Sequence, residues 1–109
     1  MPYTFHNDPG HGWLEVPREE AIAAGILNRI SEYSYQSRDG RTLYLEEDCD
    51  AALFVEARGL TSADFRDKYS DGDSFVRQLP HWMPIADRPH VVWPLAEPLR
   101  AFYSGGAPR

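Results

Sequence analysis

The chain has 109 residues, 42% hydrophobic and 13% aromatic, with 17 acids against 11 bases and a formal net charge of -6. That length suits one domain, the aromatic content speaks against a disordered chain, and no run approaches the roughly 18 apolar residues of a membrane span. The acid excess argues against direct binding to a nucleic-acid backbone, which rests on clustered Lys and Arg.

Tyr3 to Asn7 alternates aromatic and polar residues, Asp8-Pro9-Gly10-His11-Gly12 reads as a turn, and Trp13-Leu14-Glu15-Val16 as the returning strand of a hairpin. Pro17 opens a short helix, Arg18 to Ala24, with Glu19 and Glu20 at its positive end and Gly25 as its C-terminal cap. Ile22, Ile26 and Ile30 share one side if helical character continues past that glycine. A second hairpin pairs Tyr33–Ser37 with Thr42–Glu46 around Arg38-Asp39-Gly40-Arg41, because Asp-Gly between alternating runs is a strong turn signal. Next comes a helix from Asp50 to Arg58, started by an Asp cap and ended by Gly59, with Leu53, Phe54 and Ala57 as its apolar stripe. Phe65 to Tyr69 reads as a further, highly charged strand, and Asp71-Gly72-Asp73 as a turn in which Asp73 caps a short helix from Ser74 to Leu79.

Six of the nine prolines follow Leu79, a spacing that long helices and central strands do not tolerate. The expected architecture is therefore α+β: a small antiparallel sheet built from hairpins, two or three short helices and a Pro-rich C-terminal strap. One domain spans 1–103, with its core at 3–79 and a Pro/aromatic strap at 80–103, and 104–109 is a flexible tail. The start Met1-Pro2-Tyr3-Thr4-Phe5-His6 lacks a basic region leading into an apolar one, and the lone Cys49 has no internal disulfide partner. Both features lead us to expect a protein of the reducing cytoplasm.

The charge is concentrated. Residues 46–73 hold nine acids against Arg58, Arg66 and Lys68, so this stretch carries the whole net charge and the rest of the chain balances to zero. Like charges this close repel, and are either well solvated or complementary to a basic partner. Glu46, Glu47, Asp48, Asp50, Asp71 and Asp73 are the candidate partner-binding residues, with Trp82 or Trp93 of the strap as an apolar anchor. The regular acid ladder of a calcium loop is absent. Two imidazoles and a carboxylate in His6, Asp8 and His11 form a candidate metal set, against which stands a hairpin turn whose Asp, Pro and Gly only set backbone geometry. Cys49 sits at a helix start, where the dipole favours a thiolate, but Glu47, Asp48 and Asp50 oppose one, and nothing in the spacing selects His6, His11, His81 or His90 as its base. No P-loop, dinucleotide fingerprint, nucleophile elbow or paired-cysteine motif is present, and the expectation is a non-enzyme without a cofactor.

The stretches Tyr3–Val16, Ile30–Tyr35 and Tyr44–Ala51, with Asp71-Gly72-Asp73-Ser74-Phe75 and Leu79-Pro80, resemble a group of short uncharacterised proteins of proteobacterial phages, prophages and plasmids. The likeness covers about residues 3 to 82 and brings no catalytic residues with it. It implies a mobile-element setting, where small acidic proteins act against host defence, as anti-CRISPR proteins do. The leading expectation is thus an anti-CRISPR-type inhibitor whose acidic surface blocks the nucleic-acid groove of a Cas effector complex or similar basic partner, as a monomer or homodimer. The alternatives are a metal-binding accessory protein or small metal-dependent hydrolase using His6, Asp8 and His11, or a structural homodimer pairing open sheet edges.

Overall fold

The computed structural model describes residues 2–83. The first hairpin forms where the alternation and the turn residues place it, with β1 (Tyr3–Asn7) antiparallel to β2 (Gly12–Pro17) and Phe5 facing Leu14 across the pair. Pro17 ends β2 and opens α1 (Arg18–Ala23), its fixed φ suiting the first helical turn. Gly25 then takes φ 76, a left-handed conformation that stops the helix, so Ile22, Ile26 and Ile30 do not lie along one continuous helix. Ile26 and Ile30 reach the core on either side of a single 3-10 turn, Leu27–Arg29.

The second hairpin is shorter on its first side than the alternation suggests. β3 is only Tyr35–Gln36, β4 is Thr42–Glu46, and Tyr33 is exposed. Ser34 breaks the run, because it is fully buried and its hydroxyl accepts from the Glu46 amide. α2 (Ala51–Arg58) ends at Gly59 in the left-handed region, φ 64. Gly59→Ala should therefore cost about 1 kcal/mol, readable as a lower urea midpoint, because a Cβ is disfavoured at positive φ. Asp50 precedes α2 without capping it, as its carboxylate is turned to Ser31 and Ser34, and Ala57 of the expected stripe is exposed while Ala51 and Phe54 are buried. The charged run 65–69 is indeed a strand, β5 (Phe65–Tyr69), and Ser74 rather than Asp73 caps the following 3-10 turn, Phe75–Gln78, by accepting from the Val76 amide.

Strand order is β3-β4-β2-β1-β5, antiparallel throughout except that β5 joins β1 in parallel, so the sheet is mixed rather than purely antiparallel. The exposed Arg66, Asp67 and Lys68 on this edge strand disfavour adventitious edge pairing. The central strands bury both faces. Leu14, Val16, Leu43 and Leu45 pack under the helices with Ala21, Phe54, Ile26 and Trp82, while Trp13 and Tyr44 face the other way onto Val76 of the last 3-10 turn. Burial of each large apolar side chain contributes roughly 1.5–3 kcal/mol, so the two-sided use of β2 and β4 makes them the fold's spine. Residues 80–82 run beside β3, with Gln36 N donating to Pro80 O and Trp82 N to Ser34 O. Trp93, the rest of the strap at 84–103 and the tail at 104–109 lie outside the described residues. Among the described residues, no helix is long and apolar enough to cross a membrane.

Candidate functional site

The topology brings distant segments to one end of the sheet. β1, β4 and β5 run in the same direction, and β2 starts where they finish. The Asp8–His11 turn, the segment after Glu46 and the segment after Tyr69 therefore meet there, although more than 60 residues separate the first from the last. Gly12 permits the close approach, since a Cβ at that position would fall 2.6 Å from both Asn7 Oδ1 and Phe5 Cε1.

Asp8 ties this end together. Its Oδ1 accepts from the Gly10 and His11 amides at 2.9 and 3.0 Å and from Arg77 Nη2 at 2.9 Å. Oδ2 accepts from the Ser74 amide at 2.9 Å and from Arg77 Nε at 2.6 Å. The Arg77 guanidinium, reinforced by these amides, holds the Asp8 carboxyl far below the usual carboxylate range in spite of its burial. Arg77 also lies over the Trp13 ring, 5.2 Å from its centroid.

Beside this knot is a cavity of about 300 Å³, on the sheet face opposite the helices, lined by His11, Trp13, Tyr35, Glu46, Asp48, Cys49, Arg77 and His81 with the exposed Tyr33 at its side. Glu46 is buried, and its Oε1 accepts from the Asp48 and Cys49 amides at 2.9 and 3.0 Å. Oε2 lies 3.3 Å from His11 Nδ1. Ligand atoms of His11, Glu46 and Asp48 all fall within 4.8 Å of one another. His81 stacks on Tyr35, ring centroids 4.3 Å apart. The indole N–H of Trp13, a fully buried residue, has no hydrogen-bond partner among the described residues. The Cys49 thiol is pushed up, first by desolvation and then by its contact with Glu46 and the nearby Asp50 and Asp48 charges, so it is not set up as a nucleophile.

The structure separates His6, Asp8 and His11, which therefore do not form one ligand set. His6 is buried, with Nε2 2.6 Å from Glu15 Oε1 and its ring edge-on to Tyr44 and Phe75. Asp8 is committed to Arg77, and only His11 faces the cavity. Of the six candidate acids, Glu47, Asp48, Asp71 and Asp73 are exposed, whereas Glu46 and Asp50 are buried and bonded internally, which removes them from any docking face. Trp82 is likewise buried in the core and offers no exposed anchor. An open hollow of about 600 Å³ joins Glu47 to Asp67, an acid outside the candidate set, with Asn7, His11 and Tyr69. Arg77 carried no local signal at all, because its partner lies 69 positions away. Comparison of the chain with family models, with curated proteins and with solved structures gives no match.

Proposed function

We propose that the chain is a non-enzymatic binding protein that docks the acidic end of its sheet onto a basic protein surface. The observation that carries this is convergence. Exposed carboxylates from two segments distant in sequence, Glu47 and Asp48 after β4 and Asp67, Asp71 and Asp73 on and just beyond β5, gather toward one end. The Arg77 guanidinium at this end is already engaged by Asp8 and lies 3.9 Å from Asp73. Such a field steers a basic partner and lets carboxylates stand in for phosphates against its Arg and Lys side chains. The partner of that chemistry we favour is the nucleic-acid groove of a host defence complex, the anti-CRISPR type of inhibition that the resemblance to phage and plasmid proteins implies.

Glu47→Lys, Asp71→Lys and Asp73→Lys combined should leave the melting transition in place, because all three side chains are exposed. The same variant should lose binding to an isolated Cas effector complex by roughly tenfold or more, with association of the native protein slowing as salt rises. Surface binding kinetics across a salt series read both effects. A folded triple variant that binds as tightly as the native chain removes the proposal.

A further inference from the structure

We propose that His11 Nδ1, Glu46 Oε2 and a carboxylate oxygen of Asp48 form a binding site for one zinc-class divalent ion at the mouth of the cavity beside Trp13. This site shares Asp48 with the docking surface, while His11 and Glu46 lie outside the acids assigned to it.

The distances carry the assignment. His11 Nδ1 and Glu46 Oε2 are 3.3 Å apart. A charge-assisted N–H···O⁻ bond settles at about 2.7–2.9 Å, so this is a long one. Two ligands each bonded at 2.0–2.1 Å to a tetrahedral zinc sit about 3.3 Å from each other, which is the separation seen. Asp48 completes the set, with a ligand atom within 4.8 Å of the other two on an exposed side chain.

Glu46 is positioned for this from behind. It is more than nine-tenths buried, and the Asp48 and Cys49 amides occupy Oε1, which leaves Oε2 turned to His11. Fixing a ligand's orientation through its other atom is the usual work of groups behind a metal site. One imidazole and two carboxylates suit a borderline ion better than calcium or magnesium, which take oxygen alone. Three protein ligands leave the fourth tetrahedral position for an exogenous one. Arg77, whose guanidinium lies against the Trp13 ring, also lines the cavity and gives such a ligand a cationic neighbour.

The test is a calorimetric titration of the full chain, stripped with chelator, with zinc chloride alone, repeated with cobalt to read the visible spectrum. The expected result is one equivalent bound at micromolar Kd or tighter, with a tetrahedral cobalt spectrum. His11→Ala, whose side chain is half exposed, and the near-isosteric Glu46→Gln should each weaken zinc binding by roughly tenfold or more. Circular dichroism melts of both variants report whether the fold survives, and Asp48→Asn at an exposed position gives a third reading that does not depend on the core. His6→Gln should bind as the native chain does. No binding by the native chain, or binding that survives His11→Ala and Asp48→Asn, overturns the assignment. The Glu47, Asp71 and Asp73 reversal leaves all three ligands in place, so loss of partner binding and loss of zinc are separable results.

Discussion

Asp8→Asn should destabilise the domain by about 3 kcal/mol, the low end of what removing one partner from a buried ion pair costs. The low end applies because the Arg77 side chain stays 29% exposed and can turn to solvent, whereas Asp8 is almost wholly inside. The asparagine keeps the shape but offers one acceptor oxygen where the carboxylate serves five donors, three of them main-chain amides that have no substitute. For a domain of this size the melting temperature should fall by roughly 12–25 °C. The pH dependence follows from the depressed carboxyl. In the unfolded chain Asp8 takes up its proton near pH 4, while in the folded protein it stays ionised far below that. Its contribution is fully present above pH 5 and is lost progressively as the medium becomes more acidic than pH 4, so native stability declines on acidification and the variant's declines less. Urea unfolding at a series of pH values between about 7 and 3 reads both. Equal stabilities at neutral pH, or parallel acid limbs, would show that the carboxylate is idle.

The same residue shows what a sequence conveys and what it withholds. Asp8-Pro9-Gly10 announces a turn because an Asp side chain bonds amides two and three positions on, and those two bonds are present. The remaining three bonds reach Ser74 and Arg77, and nothing local reports them. Elements set by short-range chemistry were legible in this way: β1 with β2, α1 stopping at Gly25, β4, and α2 stopping at Gly59. The parallel seat of β5 was not, because it depends on a crossover from β4 that passes α2 and comes down beyond two intervening strands. Acid patterning misled in a specific respect. Glu46 and Asp50 look like their neighbours Glu47 and Asp48 in one dimension, yet both fold inward, Glu46 because it occupies a strand position facing the Trp13 side and Asp50 because two serines supply donors. The pairing of His11 with Glu46 joins a hairpin turn to the end of a strand that is not consecutive with it, so only the strand order discloses it.

Asp50→Ala should cost about 2–4 kcal/mol although it removes an acid from a strongly acidic stretch, where easing of like-charge repulsion alone would make the change stabilising. Asp50 Oδ2 accepts from the Ser31 amide at 3.0 Å, the Ser31 hydroxyl at 2.8 Å and the Ser34 hydroxyl at 2.5 Å. Ser34 in turn accepts from the Glu46 amide at 3.0 Å, so donors run from the end of β4 through a buried hydroxyl to the carboxylate. Truncation strands the fully buried Ser34 hydroxyl, deprives the half-buried Ser31 amide of its acceptor, and leaves space where a fully buried side chain stood. The chain of bonds also ends on the residue whose Oε2 faces His11, so loosening it frees Glu46 to move. Ser34→Ala deletes the relay from its middle, and its cost should not add to that of Asp50→Ala. A double-mutant cycle by urea unfolding should give a coupling of about 1 kcal/mol or more between the two sites. Additive losses would mean that Asp50 and Ser34 stabilise the fold separately, and a stabilised Asp50→Ala would return this carboxylate to the class of solvated surface acids.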